Sequence, residues 1–519
     1  MFARLSRQLI FQASFTANNC GPWRLCSTLH TSERYPSMKL ARKSKYGKPS
    51  KGDLDVFRSI FNGDNGRIVT DPDQLVDYNV DWMKTCYGES NIALLPKTTA
   101  ELSQILKYCN EKNLAIAPRG GNTGLVGGSV PVFDEIAVSL RLMNNIETFD
   151  PTSGIVLCEA GVILDTLDEF LLGHGFTVPL DLSARHSCQI GGNIATNAGG
   201  IRLLRYGSLK ANVLGLEYVL ANGDVIDCMS TLRKDNTGYD LRSLLIGSEG
   251  TLGIITKVAL LCPPKPSSVN VALLGVKSFE DILRLFRHCR VHLTEILSAF
   301  EFFDDSSYDV VKNNLRYEHP MQTDFKYYVL IETSGSNSDH DFEKLEKFTE
   351  HILESGIISE NDVVLATDIA QQRSLWRLRE EIAVGLQMDG YVYKFDISLP
   401  QKEFPNMHNA IKERLKGFDD VRVASYGHVG DGNLHLNITS PEFNSEIMSA
   451  VDPFLFEFVR DCNGSISAEH GLGLRKRSHI GYSKRKLAIE NMIAIKRLLD
   501  PKGILNPYKT IDPDLPLDH

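Results

Sequence analysis

Pro118-Arg119-Gly120-Gly121-Asn122-Thr123-Gly124-Leu125-Val126-Gly127-Gly128 follows the apolar run Leu114–Ala117. Without a Cβ, glycine lets the backbone turn its N–H groups onto an anion at close range, and Asn122 and Thr123 add side-chain donors. The spacing is neither G-x-G-x-x-G nor G-x-x-x-x-G-K-[ST], which disfavours a nicotinamide Rossmann domain and a P-loop NTPase. Alone, the loop is open to two readings, a nucleotide-phosphate cradle or a tight turn between strands.

Upstream of the loop, residues 92–118 predict strand, helix, strand. Ile92–Leu95 is a short apolar run closed by Pro96, and Thr98 with Glu101 has the spacing of a helix start. Leu102, Ile105, Leu106 and Cys109 then recur at i, i+3, i+4, i+7 on one helical face. Downstream, Leu164, Leu167, Phe170 and Leu171 mark a second helix that stops at Gly173 and Gly175. Further glycine clusters lie at 191–200, 247–253 and 471–473. Pro263, Pro264 and Pro266 then punctuate the chain and mark a domain boundary. Beyond it, alternating strands such as Tyr327–Glu332 mix with helical stretches, and 451–519 reads as helical around a glycine loop.

Composition bounds these readings. The chain has 519 residues, 42% apolar and 23% charged, ordinary globular values for two to four domains. It has no run of about 18 apolar residues, so no membrane-spanning helix is expected. The net charge of −9 divides unevenly. Residues 1–51 carry ten Lys/Arg and one acid, Glu33; the remainder carries 46 bases and 64 acids. So acidic a body will not hold a polyanion, which argues against nucleic-acid binding. The N-terminal MFARLSRQLIFQASF, with Arg4 and Arg7 among apolar and Ser residues, has the composition of a mitochondrial transit peptide. Residues 1–50 are accordingly assigned to a leader and the product to the mitochondrial matrix. Ten scattered cysteines without a C-x-x-C form neither a disulfide framework nor a thiolate metal site.

The second half holds a polar constellation, Ser425-Tyr426-Gly427-His428-Val429-Gly430-Asp431-Gly432-Asn433-Leu434-His435-Leu436-Asn437. A glycine reversal at 430–432 separates two extended arms. Period-two alternation puts Leu434, Leu436 and Ile438 on one face and His435, Asn437 and Thr439 on the other, where His428 can meet them across the turn. Two imidazoles with a carboxylate, which Glu469 could supply, suit a borderline divalent metal; paired histidines also often only hydrogen-bond locally. Upstream, Leu375, Leu378, Ile382 and Leu386 form a helical stripe bordered by Arg379, with Arg377 placed to pair with Glu381. In Gly390–Asp396, Lys394 lies opposite the Tyr391/Tyr393/Phe395 face.

Three glycine loops within about 140 residues exceed what turns require. With the Ile190–Gly200 and Ile246–Gly253 stretches, they resemble the flavin domain of the vanillyl-alcohol oxidase and p-cresol methylhydroxylase superfamily. Pro179-Leu180-Asp181, Arg205-Tyr206-Gly207-Ser208 and Lys234–Asp240 look like the branch that oxidises D-2-hydroxy acids. His428–Asn437 with Ala468-Glu469-His470-Gly471 is similar to its D-2-hydroxyglutarate-oxidising members.

The resemblance implies an α+β protein: a two-subdomain FAD-binding domain over 51–265, a substrate cap domain over 266–450, and a helical segment over 451–519 returning to the flavin. It implies FAD held by Pro118, Arg119, Gly120, Gly121, Asn122, Thr123, Gly124 and Gly127 of the first loop and by Pro179. Gly191, Gly192, Asn193, Thr196, Asn197, Gly199 and Gly200 would follow in the second loop, then Glu249, Gly250, Ile254 and Asn506. Members with covalent FAD carry His where Asn122 stands, so the flavin is expected to be noncovalent.

The resemblance further implies zinc, or Co2+ or Mn2+, on His428, His435 and Glu469. Arg379, Lys394, Asn437 and His470 would face a small dicarboxylic hydroxy acid. His470 would take the hydroxyl proton as hydride passes from C2 to flavin N5, giving 2-oxoglutarate. One departure is Ala383, where the branch has a substrate-contacting Thr. Electron transfer flavoprotein is the implied acceptor, and a monomer or homodimer the implied assembly. Competing readings are a dehydrogenase of D-lactate or glycolate, a flavin-dependent transferase resembling alkyl-dihydroxyacetone-phosphate synthase, and a nonenzymatic flavin-binding protein.

Overall fold

The computed structural model describes residues 40–514. The leader expected at the N-terminus lies outside the described residues up to position 39. Residues 41–50, assigned above to the leader, belong to the body instead. Arg42 Nε meets Asp134 at 2.6 Å, Lys43 Nζ meets Asp512 at 2.5 Å, and the Tyr46 hydroxyl donates to the Gly503 carbonyl at 2.6 Å. The basic composition is continuous across position 40, while the partnering acids lie far along the chain, so composition alone set the boundary too late.

Two small sheets make the first half. One orders Ile68–Val69, Ala93–Leu94, Ile136–Ser139 and Ile116–Arg119, with the last three strands parallel. The Thr99–Lys112 helix buries Leu102, Ile105, Leu106 and Cys109, the face its periodicity predicts, and Thr98 accepts from the Glu101 N–H as its N-cap. The other sheet orders Ile146–Asp150, Ile155–Glu159, Ile254–Leu261, Val213–Val219 and Val225–Cys228, all antiparallel. The Leu164–Leu172 helix ends at Gly173 as expected.

After Pro263 and Pro264 the chain enters a seven-stranded antiparallel sheet ordered Val363–Leu365, Ser268–Val276, Tyr327–Gly335, Leu297–Asp304, Arg422–His428, Asn433–Ser440, Tyr391–Ser398. One face carries Phe300, Phe302, Val329, Ile331, Phe395, Leu434, Leu436 and Ile438 into a core shared with the helices Phe279–His292, Ser338–Glu354, Phe404–Arg414 and Ser445–Asp461. The last of these starts before position 450, so the helical segment's first element packs with the cap sheet; no composition shift signals that continuity. The other face packs Leu330, Phe303 and Tyr426 against Leu375, Leu378, Ile382 and Leu386. That stripe is carried by two helices, Ile369–Glu380 and Ile382–Gln387, broken at Glu381.

The chain end then returns to the first sheet. Ile116 donates to the Ile504 carbonyl and Asn506 donates to that of Ile116, both at 2.8 Å. Among the described residues no helix is long and apolar enough to cross a membrane.

Candidate active site

The three glycine loops converge. Gly247 N–H donates to the Ile194 carbonyl and Glu249 N–H to that of Ala195, tying the third loop to the Ile190–Thr196 helix. A Cβ on Gly120 would meet Gln189 Oε1 at 3.3 Å, and one on Gly250 would meet Pro118 Cγ at 2.7 Å. A Cβ on Gly121 would stand 1.9 Å from the Ser187 carbonyl oxygen, whereas one on Gly192 would meet nothing within 4 Å. On the same loops and the residue leading into them, Gln189 Oε1, Asn193 Oδ1 and Ser248 Oγ are buried and unpaired among the described residues. Buried polar groups are ordinarily satisfied. Converging glycine loops with open space at Gly192 and unpaired polar atoms among their residues fit an elongated, hydrogen-bonding group such as FAD.

Not every residue assigned to FAD points into this cradle. Asn122, at φ 56°, donates through Nδ2 to the Val80 carbonyl and accepts from Ser129 Oγ. Arg119 turns to the Asp77 carbonyl at 2.7 Å and lies over the Tyr78 ring. Thr196 Oγ1 donates to the Gly192 carbonyl and Asn197 Oδ1 accepts from the Lys210 N–H. The Glu249 carboxylate accepts from the Leu472 and Gly473 N–H groups at 2.9 and 2.7 Å. Asn506 Nδ2 donates to the Gly128 and Glu249 carbonyls, and its Oδ1 accepts from Lys509 Nζ. These residues fix the loops to one another. Lys509, buried in that knot, carries no sequence signal beyond its place near the chain end. Gly127, Pro179, Gly191 and Ile254 are buried, Thr123 is half-buried and Gly124 is exposed.

The seven-stranded sheet supplies the charged side. Its register sets Lys394 opposite Asn437, Asp396 opposite His435, Tyr426 opposite His435, and Glu301 opposite His428. Because side chains on directly paired residues share a face, all of these project together. His428 Nε2 and His435 Nε2 are 3.4 Å apart, and His435 Nε2 is 3.6 Å from Glu469 Oε1. Atoms bound at ~2.0–2.2 Å to a tetrahedral ion stand roughly 3.3–3.5 Å from one another. The donor types suit a borderline divalent ion: ligand atoms of His435 and Glu469 lie within 4.8 Å of one another and of Asp396 and His470, while His428 adjoins this group through His435 alone. The other Glu469 oxygen accepts from Gly200 N–H at 2.9 Å, which fastens this carboxylate to the second glycine loop.

Two carboxylates that sequence reasoning passed over organise this cluster. Glu301 Oε1 lies 2.7 Å from His428 Nδ1 and its Oε2 lies 2.9 Å from Arg379 Nη2. Asp396 lies 3.7 Å from His435 Nδ1 and 3.6 Å from His470 Nδ1, and accepts the Glu469 and His470 N–H groups at 3.0 Å each. Carboxylates behind ligand imidazoles fix tautomer and orientation. A signal for both was present: Glu301 is an acid inside the apolar run Leu297–Phe303, and Asp396 shares the period-two face of Lys394.

Electrostatics follow from this packing. Burial alone would lower His428, but the Glu301 carboxylate raises it to about 9. Burial pushes His435 well below the ordinary histidine range against the pull of Asp396. Burial opposes ionisation of Asp396 too, yet His470 and Lys476 hold it far below the usual carboxylate range. Arg379 is 7% exposed, its guanidinium 4.6 Å over the Tyr426 ring and its Nε without a hydrogen-bond partner among the described residues. Its neighbour Arg377 faces outward to Glu381 at 3.0 Å. Lys394 Nζ lies 5.8 Å over Trp82, and burial, then Arg475, push it down to about 8. Asn437 is buried beside it, and the His470 ring stacks 5.8 Å from that of His435. Ala383 follows the helix break at Glu381.

Comparison with known proteins agrees with this architecture. A model of the FAD binding domain matches residues 91–229, and one of the C-terminal domain of FAD linked oxidases matches residues 265–510. A mitochondrial D-2-hydroxyglutarate dehydrogenase of Danio rerio is 53% identical over 466 residues, covering 90% of this chain and 86% of the relative. A putative mitochondrial D-lactate dehydrogenase of Schizosaccharomyces pombe is 49% identical over 496 residues, covering 93% and 94%. The solved structure of p-cresol methylhydroxylase with substrate bound superposes with a TM-score of 0.72 at 18% identity, covering 90% of this chain and 98% of that one.

Proposed function

The chain belongs to the D-2-hydroxyglutarate dehydrogenase family of FAD-linked oxidases, and from that premise we propose that it oxidises D-2-hydroxyglutarate to 2-oxoglutarate in mitochondria, with noncovalent FAD and a divalent ion, zinc first. The observation that carries this reading is the His428–His435–Glu469 cluster, 3.4–3.6 Å between neighbouring ligand atoms, on the same sheet face as Lys394 and beside Arg379. The chemistry supplied from outside the chain is two-electron acceptance by FAD and Lewis acidity by the ion.

The chain's own residues do the rest. Arg379 and Lys394 bind carboxylate, the first as a planar fork already aligned by Glu301, the second as a point charge. His470 Nδ1 faces Asp396 at 3.6 Å and Nε2 lies 3.7 Å from Glu469 Oε1; Nε2, on the side of the ring away from Asp396, would take the substrate hydroxyl proton, and the Asp396 carboxylate would stabilise the imidazolium that results. Tyr426 and Trp82 flank the two cations through their ring faces, Tyr426 under Arg379 and Trp82 under Lys394. Two protons and two electrons leave the substrate, one proton to His470 and the remaining hydrogen with the electron pair to the acceptor. The matrix, and electron transfer flavoprotein as the onward oxidant, extend the reading; the mitochondrial names of the relatives support the organelle alone.

Anaerobic mixing with D- and L-2-hydroxyglutarate, D-lactate and D-malate, followed at the flavin absorbance, tests the reading. Rapid bleaching by D-2-hydroxyglutarate alone is expected. Preference for D-lactate would instead favour the activity named for the Schizosaccharomyces relative, and no bleaching by any hydroxy acid would favour a transferase. Exhaustive chelation should lower the rate reversibly, with zinc restoring it; indifference to chelation removes the metal from the reading.

A further inference from the structure

We propose that His288, His292 and His351 form a second divalent-metal site, remote from the hydroxy-acid pocket, for a borderline ion such as Zn2+. His288 and His292 stand one turn apart near the end of the Phe279–His292 helix, so their imidazoles leave the same side. His351 comes from the neighbouring Ser338–Glu354 helix. Ring centroids are 4.9 Å apart for His288 and His351, 4.3 Å for His292 and His351, and 6.1 Å for His288 and His292. One ring nitrogen from each lies within 4.8 Å of the others, and His351 Nε2 is 3.0 Å from His288 Nδ1. Nitrogens bound at ~2.0–2.1 Å to a tetrahedral ion are roughly 3.4 Å apart, so small rotations of three partly exposed rings complete the set.

Three imidazoles without thiolate select Zn2+ and its neighbours over the hard ions Mg2+ and Ca2+. A fourth position stays open to water. Arg284 and Arg287 act on His288 and oppose added positive charge, which sets the affinity below that of a buried structural zinc. Both helices pack on the sheet face that carries Phe300, Phe302, Leu434 and Leu436, whereas His435 points from the opposite face. The sheet therefore separates the two metal sites. An ion here touches no substrate; it clamps one cap helix to another and stabilises the cap by mass action.

The test uses the holoenzyme, with flavin and active-site metal in place, dialysed against micromolar Zn2+. Wild type should hold one more zinc per chain than His292→Ala or His351→Ala and should melt several degrees higher with Zn2+ than without. That shift should vanish in both variants while flavin reduction by D-2-hydroxyglutarate is unchanged. His292→Gln, which keeps bulk and polarity, gives the same reading should alanine loosen the helices. His435→Ala should lose the active-site equivalent but keep the zinc-dependent melting shift, which separates the two sites. Equal zinc content and equal melting shifts in wild type, His292→Ala and His292→Gln would overturn the proposal.

Discussion

The two halves of the active site recognise their occupants by opposite means. On the flavin side, the loops offer open space at Gly192 and unpaired neutral polar atoms, and the ionic groups nearby, Glu249 and Lys509, are spent fixing loops to one another. On the cap side, a rigid antiparallel sheet presents His428, His435, Asp396, Glu301 and Lys394 on one face, every one titratable. A large cofactor that stays bound is matched by shape. A small dianion whose charge and proton count change during reaction is matched by charges a fixed register can aim. The two meet where Glu469 gives one oxygen to Gly200 N–H and the other to the His435 and His470 nitrogens.

Substitutions should separate these modes. The largest effect is expected from Gly121→Ala, whose Cβ would lie 1.9 Å from the Ser187 carbonyl oxygen. Neither backbone can yield cheaply, so the change should exceed the ~1–3 kcal/mol of ordinary overpacking and the protein should purify without flavin colour. Retention of FAD at wild-type affinity would break the shape argument. Next, His470→Ala should keep FAD and lose about 10²–10⁴-fold in the rate of anaerobic flavin reduction, the usual worth of a positioned base. Rapid bleaching in that variant removes His470 as the base. Asp396→Asn should cost about 10–100-fold in rate or metal content by releasing the imidazoles it orients, again with FAD unaffected. Loss of flavin there would mean that the two halves are not separable.

How much of this was legible depends on whether the signal was local. Leu434, Leu436 and Ile438 could be placed on one face and His435 and Asn437 on the other because strand alternation needs only neighbouring residues, and the structure buries the first set in the core; the role of the second face came from the family resemblance. Arg379 and Arg377 were separable by helical phase for the same reason. Glu301 was not found because its meaning arises from pairing with His428, 127 positions away. The roles of Glu249 and Asn506 as loop ties were equally hidden, since glycine-loop patterns do not tell side chains facing a ligand from those facing another loop. Residues 41–50 were misplaced because Asp134 and Asp512, which neutralise them, are invisible in a local charge count.

The smallest effect sharpens the comparison most, because it isolates charge from shape. Lys394 is pushed down to about 8, burial first and Arg475 second, both disfavouring the ammonium form. Only that form attracts a carboxylate, so the sign is fixed: as pH rises through about 8 the free enzyme loses a substrate-binding cation. Charge-assisted hydrogen bonds are worth ~1.5 kcal/mol at the low end of their range, so with Arg379 still in place kcat/KM for D-2-hydroxyglutarate should fall about tenfold across that step. Flavin affinity, governed by neutral groups, should stay flat over the same range. Lys394→Arg, always charged, should move the fall to higher pH, and Lys394→Met should start low and show no step. A kcat/KM profile that stays level to pH ~10 in the wild type would mean that Lys394 does not bind substrate. The cap would then recognise the dianion through Arg379 and the metal cluster alone.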